Sequence, residues 1–350
     1  RAVDEITTQG YVGPLGIENE VAAGFTGKGI KIGVIDGPAD TSVPELQGAN
    51  VTVKPMCTFT DSDEGRSHAT AMVSILAARG YGVARGAEII NYGIPDADSV
   101  EKGSDCDKGH LDDAINAAVA DGVRVLSISL GGGDFAKRSR EAIGGAIARG
   151  VVVVVATGNE SAEDPADSLA SVNGTVGVGA SDSSGNFQSF SNYGKGLAVL
   201  APGDKTVMHL FPSGKLVNAW GTSYATPIVS GFVAVAMQRW PGATGNQVVQ
   251  SLVKTATTGR AGYPLISPNG LDKTDPTQFP DENPLLDKFP GTEPSAQTVA
   301  DYRDGVLGTQ SVFDSDSSYV YRGVDAQVAL AHPDRSALGT SPRYHKKKDQ

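Results

Sequence analysis

Residues that build metal centres and disulfide frameworks are scarce in this chain, which has two cysteines and five histidines among 350 residues. Two thiols, Cys57 and Cys106, are too few for a disulfide scaffold. They either form one bridge in an oxidising compartment or pack as two small hydrophobes. No cluster of Cys and His suggests zinc. Long apolar stretches are missing too. No run reaches the roughly 18 residues that a bilayer-spanning helix requires. Arg1 does not open a signal peptide, so the chain reads as a processed form without a membrane span. Positive charge is in deficit, with 29 Lys and Arg against 40 Asp and Glu and a net charge of −11. That balance argues against nucleic acid or an anionic membrane as partner. Internal repeats and low-complexity tracts are absent.

What is present describes an ordinary soluble globular protein, 39% hydrophobic and 20% charged, long enough to bury a sizeable core. The 44 glycines suit many tight turns. Short β-branched runs recur at Gly29–Asp36, Ala87–Tyr92, Val123–Leu130, Val151–Ala156 and Thr175–Ala180. Near-continuous apolar strands of this kind are buried on both faces, as in a parallel sheet. Helical patterns lie between and after them at Ser67–Ala78, Gly109–Asp121, Arg138–Ala148, Thr222–Gln238 and Asn246–Thr255. The expected fold is therefore α/β, a doubly wound and mostly parallel sheet flanked by helices. Functional groups in such sheets gather beyond the carboxyl ends of the strands, where Asp36 and the segment after Ala156 lie.

Seven prolines fall between Pro264 and Pro294, interleaved with Asp and Glu. Proline at that density excludes long helices and central strands. The chain divides accordingly into a body over 1–258, an irregular Pro- and Asp-rich insertion over 259–319, a closing helix within 320–333 (Gly323–Ala331) and a solvated tail over 334–350.

Ser223 occupies the start of a buried helix in Gly221-Thr222-Ser223-Tyr224-Ala225-Thr226-Pro227. There, free backbone N–H groups and the helix dipole favour a developing negative charge. A lone serine in that place is more simply an N-cap. A neutral-pH base is most often histidine. His68 opens an apolar helix, whereas His110 sits in a solvated cap, His209 in a hairpin over Thr206–Ala219, and His332 and His345 near the end.

Five motifs stand in order: Lys31-Ile32-Gly33-Val34-Ile35-Asp36, His68-Ala69-Thr70, Ser129-Leu130-Gly131-Gly132, Ala156-Thr157-Gly158-Asn159-Glu160, and the Ser223 heptad. In content and order they resemble the subtilisin-like serine proteases, over about Gly13–Thr257 and again at the closing helix. The resemblance implies Ser223 as nucleophile, His68 as general base and acid, Asp36 as its orienting carboxylate and Asn159 as oxyanion donor. It implies that Ser129, Leu130 and Gly131 pair with an extended peptide, and that Gly158, Glu160 and Asp167 border the P1 pocket. Two carboxylates there would favour Lys or Arg; the alternative is a solvated acidic loop over 160–167.

The chain departs from the family pattern in two places. Gly37 replaces the usual Ser or Thr after the Asp, and Ala69 replaces the usual Gly after the His. No cofactor is required. A structural calcium is the family's usual metal, but its loop is trimmed to Leu76–Ala84, which offers no Asn or Asp ligand. Asp61, Asp63 and Glu64 read as a solvated loop. The expected function is a serine endopeptidase acting on peptide or protein, secreted or in the cell envelope, with a prodomain and signal outside this chain. Two alternatives are a transpeptidase or macrocyclase on the same residues, and a catalytically weak peptide binder.

Overall fold

The computed structural model describes residues 3–96, 106, 110–130, 137–304, 319–321 and 344–346. Nine strands form one sheet. They are β1 (Lys31–Asp36), β2 (Val51–Pro55), β3 (Glu88–Gly93), β4 (Val125–Ile128), β5 (Val152–Ala156), β6 (Val176–Ser181), β7 (Leu197–Pro202), β10 (Thr257–Thr258) and β11 (Pro264–Leu265). Their spatial order is β10-β11-β7-β6-β5-β4-β1-β3-β2. Every pairing is parallel except β10 with β11. A separate antiparallel hairpin joins β8 (Thr206–Leu210) to β9 (Lys215–Ala219).

Successive side chains on a strand point to opposite faces, and here both faces are apolar. Val34, Val125, Val152 and Val154 enter one core with Met72 and Val73 of helix α2 (Asp63–Ala77) and Ile228 and Phe232 of α5 (Thr222–Arg239). Ile35, Leu126, Val153 and Val155 enter the other with Ile115 of α3 (Leu111–Ala120) and Ile143 of α4 (Lys137–Ala148). That two-sided burial is why the strands read as unbroken hydrophobic runs and why the sheet is doubly wound. A short α1 (Ile17–Ala22) precedes the sheet, and α6 (Gly245–Thr255) follows α5.

Four strands of the main sheet lie outside the five expected runs: the two-residue β10 and β11, and the longer β2 and β7. Strand β2 alternates half-buried and exposed residues at the sheet edge, so it lacks an apolar run. Strand β7 is a fully buried run, Leu197–Pro202, whose apolar pattern is plain in the sequence.

Among its described residues the Pro-rich segment carries short elements: β11, α7 (Pro268–Lys273), a 3₁₀ turn at Pro276–Gln278 and α8 (Ala296–Asp304). Its strand β11 is paired on both sides, and Pro264 is its first residue, where a missing N–H forfeits little. The segment is pinned to the body. Buried Asn173 donates to the carbonyls of Phe289 and Thr292 at 3.0 Å and accepts from Phe289 N at 2.9 Å. Lys288 Nζ donates to Thr175 O at 2.7 Å, and Leu286 joins the second core. Strands Tyr319–Tyr321 and Tyr344–Lys346 pair antiparallel, so part of the expected tail is paired backbone. The expected closing helix, Gly323–Ala331, lies outside the described residues.

Cys57 and Cys106 form a disulfide with Cα atoms 5.5 Å apart. The packing alternative is thereby set aside. Among the described residues no helix is long and apolar enough to cross a membrane.

Candidate active site

Asp36 ends β1 at its carboxyl end and is 2% exposed. Its Oδ1 accepts from Gly37 N at 2.7 Å. The turn that follows is fixed by buried Asn91 of β3, which donates to Gly37 O at 3.1 Å and accepts from Ala39 N at 2.8 Å. Asn91 is hidden inside a strand pattern, although a buried amide in an apolar run is itself a signal.

Helix α2 begins earlier than the sequence pattern suggests. Ser62 caps it, accepting from Gly65 N at 2.9 Å, so His68 stands in the second turn rather than at the start. His68 Nδ1 lies 2.9 Å from Asp36 Oδ2 and 3.1 Å from Oδ1. Ala69 is fully buried and leaves that contact intact. At Gly37 the usual side chain has no room, since a Cβ there would come within 2.5 Å of Asp61 Oδ2. The Asp61 carboxylate occupies the space that a Ser or Thr would need.

Burial opposes a charged His68, but the Asp36 carboxylate, then Glu64 and Asp61, outweigh it and hold the imidazole above the ordinary histidine value. Because a base must be neutral, activity should fall as acid protonates His68, with the acid limb above the usual histidine range. Glu64→Gln removes one charge favouring the imidazolium. Its kcat/KM profile should shift to lower pH; an unmoved or upward-shifted limb would contradict this electrostatic account.

Ser223 is the second residue of α5, and the N-cap is Gly221 rather than the serine. Gly221 has φ 152°, and a Cβ there would lie 3.3 Å from Asn159 Nδ2, so glycine suits both backbone and neighbour. Pro227 lies inside α5 and has no N–H to offer the Ser223 carbonyl four residues back. Ser129 Oγ donates to that carbonyl at 2.9 Å instead. In return Ser223 Oγ donates to Ser129 O at 3.1 Å. The hydroxyl thus rests on the end of the β4 segment rather than on His68. Catalytic hydrogen bonds commonly close only when substrate binds.

Asn159 follows β5 on the turn Gly158–Asn159. Its Oδ1 accepts from Thr222 N at 2.8 Å and from Thr222 Oγ1 at 3.0 Å, while Thr222 Oγ1 accepts from Gly158 N at 3.0 Å. With its oxygen held this way, the Asn159 amide nitrogen is the end left to donate. Thr222 is fully buried, and the sequence pattern gives it no more weight than its neighbours. Asn192, 1% exposed, organises the same loop by accepting from Glu160 N and Ala162 N and donating to Thr157 O.

These residues share one cleft of about 640 Å³, lined among others by Asp36, His68, Ser129, Leu130, Gly158, Asn159, Glu160 and Ser223. Glu160 Oε2 also accepts from Asn192 Nδ2 at 2.6 Å. Asp167 is exposed and does not line the cleft, which separates it from the pocket expected of it. Asp164 is spent on the backbone N–H groups of Lys195 and Gly196. Gly131 lies outside the described residues. His110 is half-buried, with Nδ1 3.2 Å from Asp113. His209 is buried against Glu45 and ties the β8–β9 hairpin to the body. Asp61 and Glu64 line the cleft rather than forming a detached solvated loop. Among the described residues no His, Cys, Asp and Glu group is arranged to hold a metal.

A parallel sheet with a buried Asp paired to a His, and a serine at a helix start beside them, is the arrangement of a known class, and the chain belongs to it. A sequence model of the Subtilase family matches residues 27–278. Subtilisin NAT of Bacillus subtilis subsp. natto is 32% identical over 247 residues, covering 67% of this chain and 62% of that protein. The chain thus spans under two thirds of that relative's length. Among solved structures, a mutant of the protease domain of PatA superposes with TM-score 0.59 at 26% identity, covering 69% of this chain and 93% of that one. The PatG macrocyclase in complex with peptide gives TM-score 0.63 at 20% identity, covering 74% and 94%, a likeness of fold alone.

Proposed function

We propose that the chain is a serine endopeptidase that cleaves peptide bonds through an acyl-enzyme on Ser223. One observation carries this reading: the pair of buried Asp36 and His68, 2.9 Å apart, opens into the same cleft as Ser223 and Asn159. Ser223 Oγ turns from Ser129 O to His68, loses its proton to Nε2 and attacks the scissile carbonyl. Asp36 holds Nδ1–H, fixing the tautomer and stabilising the imidazolium. The oxyanion meets the Asn159 amide and the Ser223 backbone N–H, which has no partner within the first turn. His68 then protonates the departing amine, and water, deprotonated by His68, releases the acyl group.

The acyl half of the peptide would lie along Ser129–Leu130 as an added strand. With Asp167 outside the cleft, Glu160 is the carboxylate left to meet a P1 cation, and it is exposed. An exposed pair is worth about 1 kcal/mol or less, so P1-Arg should exceed P1-Leu in kcat/KM by a few-fold. Equal or better turnover of the matched Leu peptide would defeat a basic preference. The disulfide supports an extracytoplasmic setting. No calcium is needed after α2 in this reading, since α2 runs unbroken to Ala77 and residues 78–84 supply no carboxylate.

The deciding experiment is labelling with a fluorophosphonate, followed by mass analysis of peptide products. Labelling at Ser223 with products that gain one water supports hydrolysis. Cyclic or ligated products without added water would show transpeptidation, and a folded protein that resists labelling would leave a peptide binder.

A further inference from the structure

The β8–β9 hairpin carries a buried histidine that the acyl-enzyme chemistry does not use. His209 is 2% exposed, and Glu45, in a 3₁₀ turn at Pro44–Leu46, is fully buried. His209 Nε2 lies 2.5 Å from Glu45 Oε1, and Nδ1 lies 3.3 Å from the carbonyl of Gly214 in the hairpin's own turn. Both ring nitrogens therefore face acceptors, and only an imidazolium has two N–H groups to give them. The second Glu45 oxygen accepts from Ile6 N at 3.3 Å.

The neighbouring charges leave this pair to itself. Asp40, on the loop after β1, is bound to Arg66 of α2, whose guanidinium lies 3.9 Å over the Phe211 ring. Arg79, just beyond α2, pairs with Glu5 of the leading segment at 2.5 Å. Lys215 of β9 is exposed, and Tyr81, on the Glu45 side, is pushed well up by its burial. Burial opposes a charge on His209, but Glu45, then the Gly214 carbonyl and Asp40, outweigh it and hold the imidazole above the ordinary histidine value. A proton held more tightly in the folded state stabilises that state, and the contribution is lost as pH rises through the raised value.

The hairpin touches both halves of the catalytic machinery. Met208, Leu210, Val217 and Ala219 line the cleft. Phe211 N donates to Ser67 Oγ at 2.8 Å, one residue before His68, and Tyr224, one residue after Ser223, donates its hydroxyl to Met208 Sδ at 3.2 Å. Gln9 brackets Val207, donating to its carbonyl at 2.8 Å and accepting from its N–H at 2.9 Å. These three ties do not titrate near neutrality, since burial pushes the Tyr224 hydroxyl up to about 12. His209 is the tie that does. Without its proton it would turn a lone pair toward the Gly214 carbonyl or the Glu45 carboxylate, and Glu45 would lose its buried cation.

We propose that His209 is a positioning residue, a protonated clasp between Glu45 and Gly214 that holds the β8–β9 hairpin against the cleft, so that loss of its proton sets an alkaline limit on turnover. The proposal rests on the acyl-enzyme reading above. His68 acts as a neutral base and supplies the acid limb alone, so an alkaline limb needs another group.

Three measurements test it, two of them without turnover. With five histidines in the chain, imidazole ¹⁵N labelling of Ser223→Ala protein can follow each ring, His209→Gln identifying the signal. The His209 ring should be doubly protonated at pH 7 and titrate above the ordinary histidine value. Hydrogen exchange of the β8–β9 amides, corrected for its intrinsic pH dependence, should accelerate through the same midpoint. In the wild-type enzyme kcat/KM should fall about tenfold or more along a single deprotonation at that midpoint. In Glu45→Gln/His209→Gln protein, where two neutral amides meet, the fall over the same interval should stay within about twofold. A neutral His209 ring at pH 7, activity that is flat through the His209 midpoint, or an alkaline fall unchanged in the double variant overturns the proposal. If the double variant does not fold, the agreement or disagreement of the Ser223→Ala and wild-type midpoints still decides. A ring that titrates together with hairpin exchange, in a chain that never acylates, would keep the clasp and sink the protease reading instead.

Discussion

Replacing Ser223 with alanine should lower kcat by about 2 × 10⁶-fold, the loss known for the nucleophilic serine of subtilisin and carried over here on family likeness. The reason is local. The neighbouring hydroxyls in the cleft are committed elsewhere: Ser129 Oγ donates to Ser223 O, and Thr222, which also stands at the start of α5, donates its Oγ1 hydroxyl to Asn159 Oδ1. The variant should remain folded, because Ser223 Oγ makes one hydrogen bond, to Ser129 O, worth about 1 kcal/mol. The same substitution should abolish fluorophosphonate labelling while leaving the melting temperature within a few degrees. A folded Ser223→Ala protein that still labels or cleaves would place the nucleophile elsewhere.

Asp36→Asn should cost about 10⁴ in kcat, the loss known for the corresponding change in a serine-protease triad. Here the cause can be followed atom by atom. Gly37 N donates to Asp36 Oδ1, so an asparagine would keep its oxygen there and turn its NH₂ toward His68 Nδ1. Two donors cannot face each other, so Nδ1 would become the acceptor and the proton would move to Nε2. His68 could then no longer accept from Ser223. The volume hardly changes, so binding of a peptide to the cleft should survive while kcat falls. A loss confined to KM, or one below about tenfold, would show that Asp36 does not set the tautomer.

Both predictions begin from residues that are legible in the chain. Val151–Ala156 announces a parallel strand because both of its faces are buried, and the resulting strand, Val152–Ala156, is one residue shorter at its start. Helix α2 is foreseen in place but starts a turn earlier than its apolar pattern. Its first turn, Asp63–Arg66, is polar, and Ser62 supplies a cap that hydrophobic periodicity does not register. The edge strand β2 escapes notice for a related reason: its residues alternate between half-buried and exposed, so no apolar run forms.

The chain by itself determined the class of sheet and the order of the motifs, because these depend on local pattern and spacing, and the family resemblance of those motifs singled out Asp36, His68, Asn159 and Ser223 as candidates. Tertiary structure decided what each of them touches. Thr222 orients Asn159 across 63 residues, and Ser129 receives the Ser223 hydroxyl across 94. The Cys57–Cys106 pairing was open until a Cα separation of 5.5 Å settled it. Asp61 fills the space beside Gly37, and Asp167, close in sequence to Glu160, lies outside the cleft that Glu160 lines. The physical reason is the same throughout. Periodicity reports which face of an element is buried, whereas the direction of a hydroxyl, an amide or a carboxylate is set by partners that only folding brings within about 3 Å.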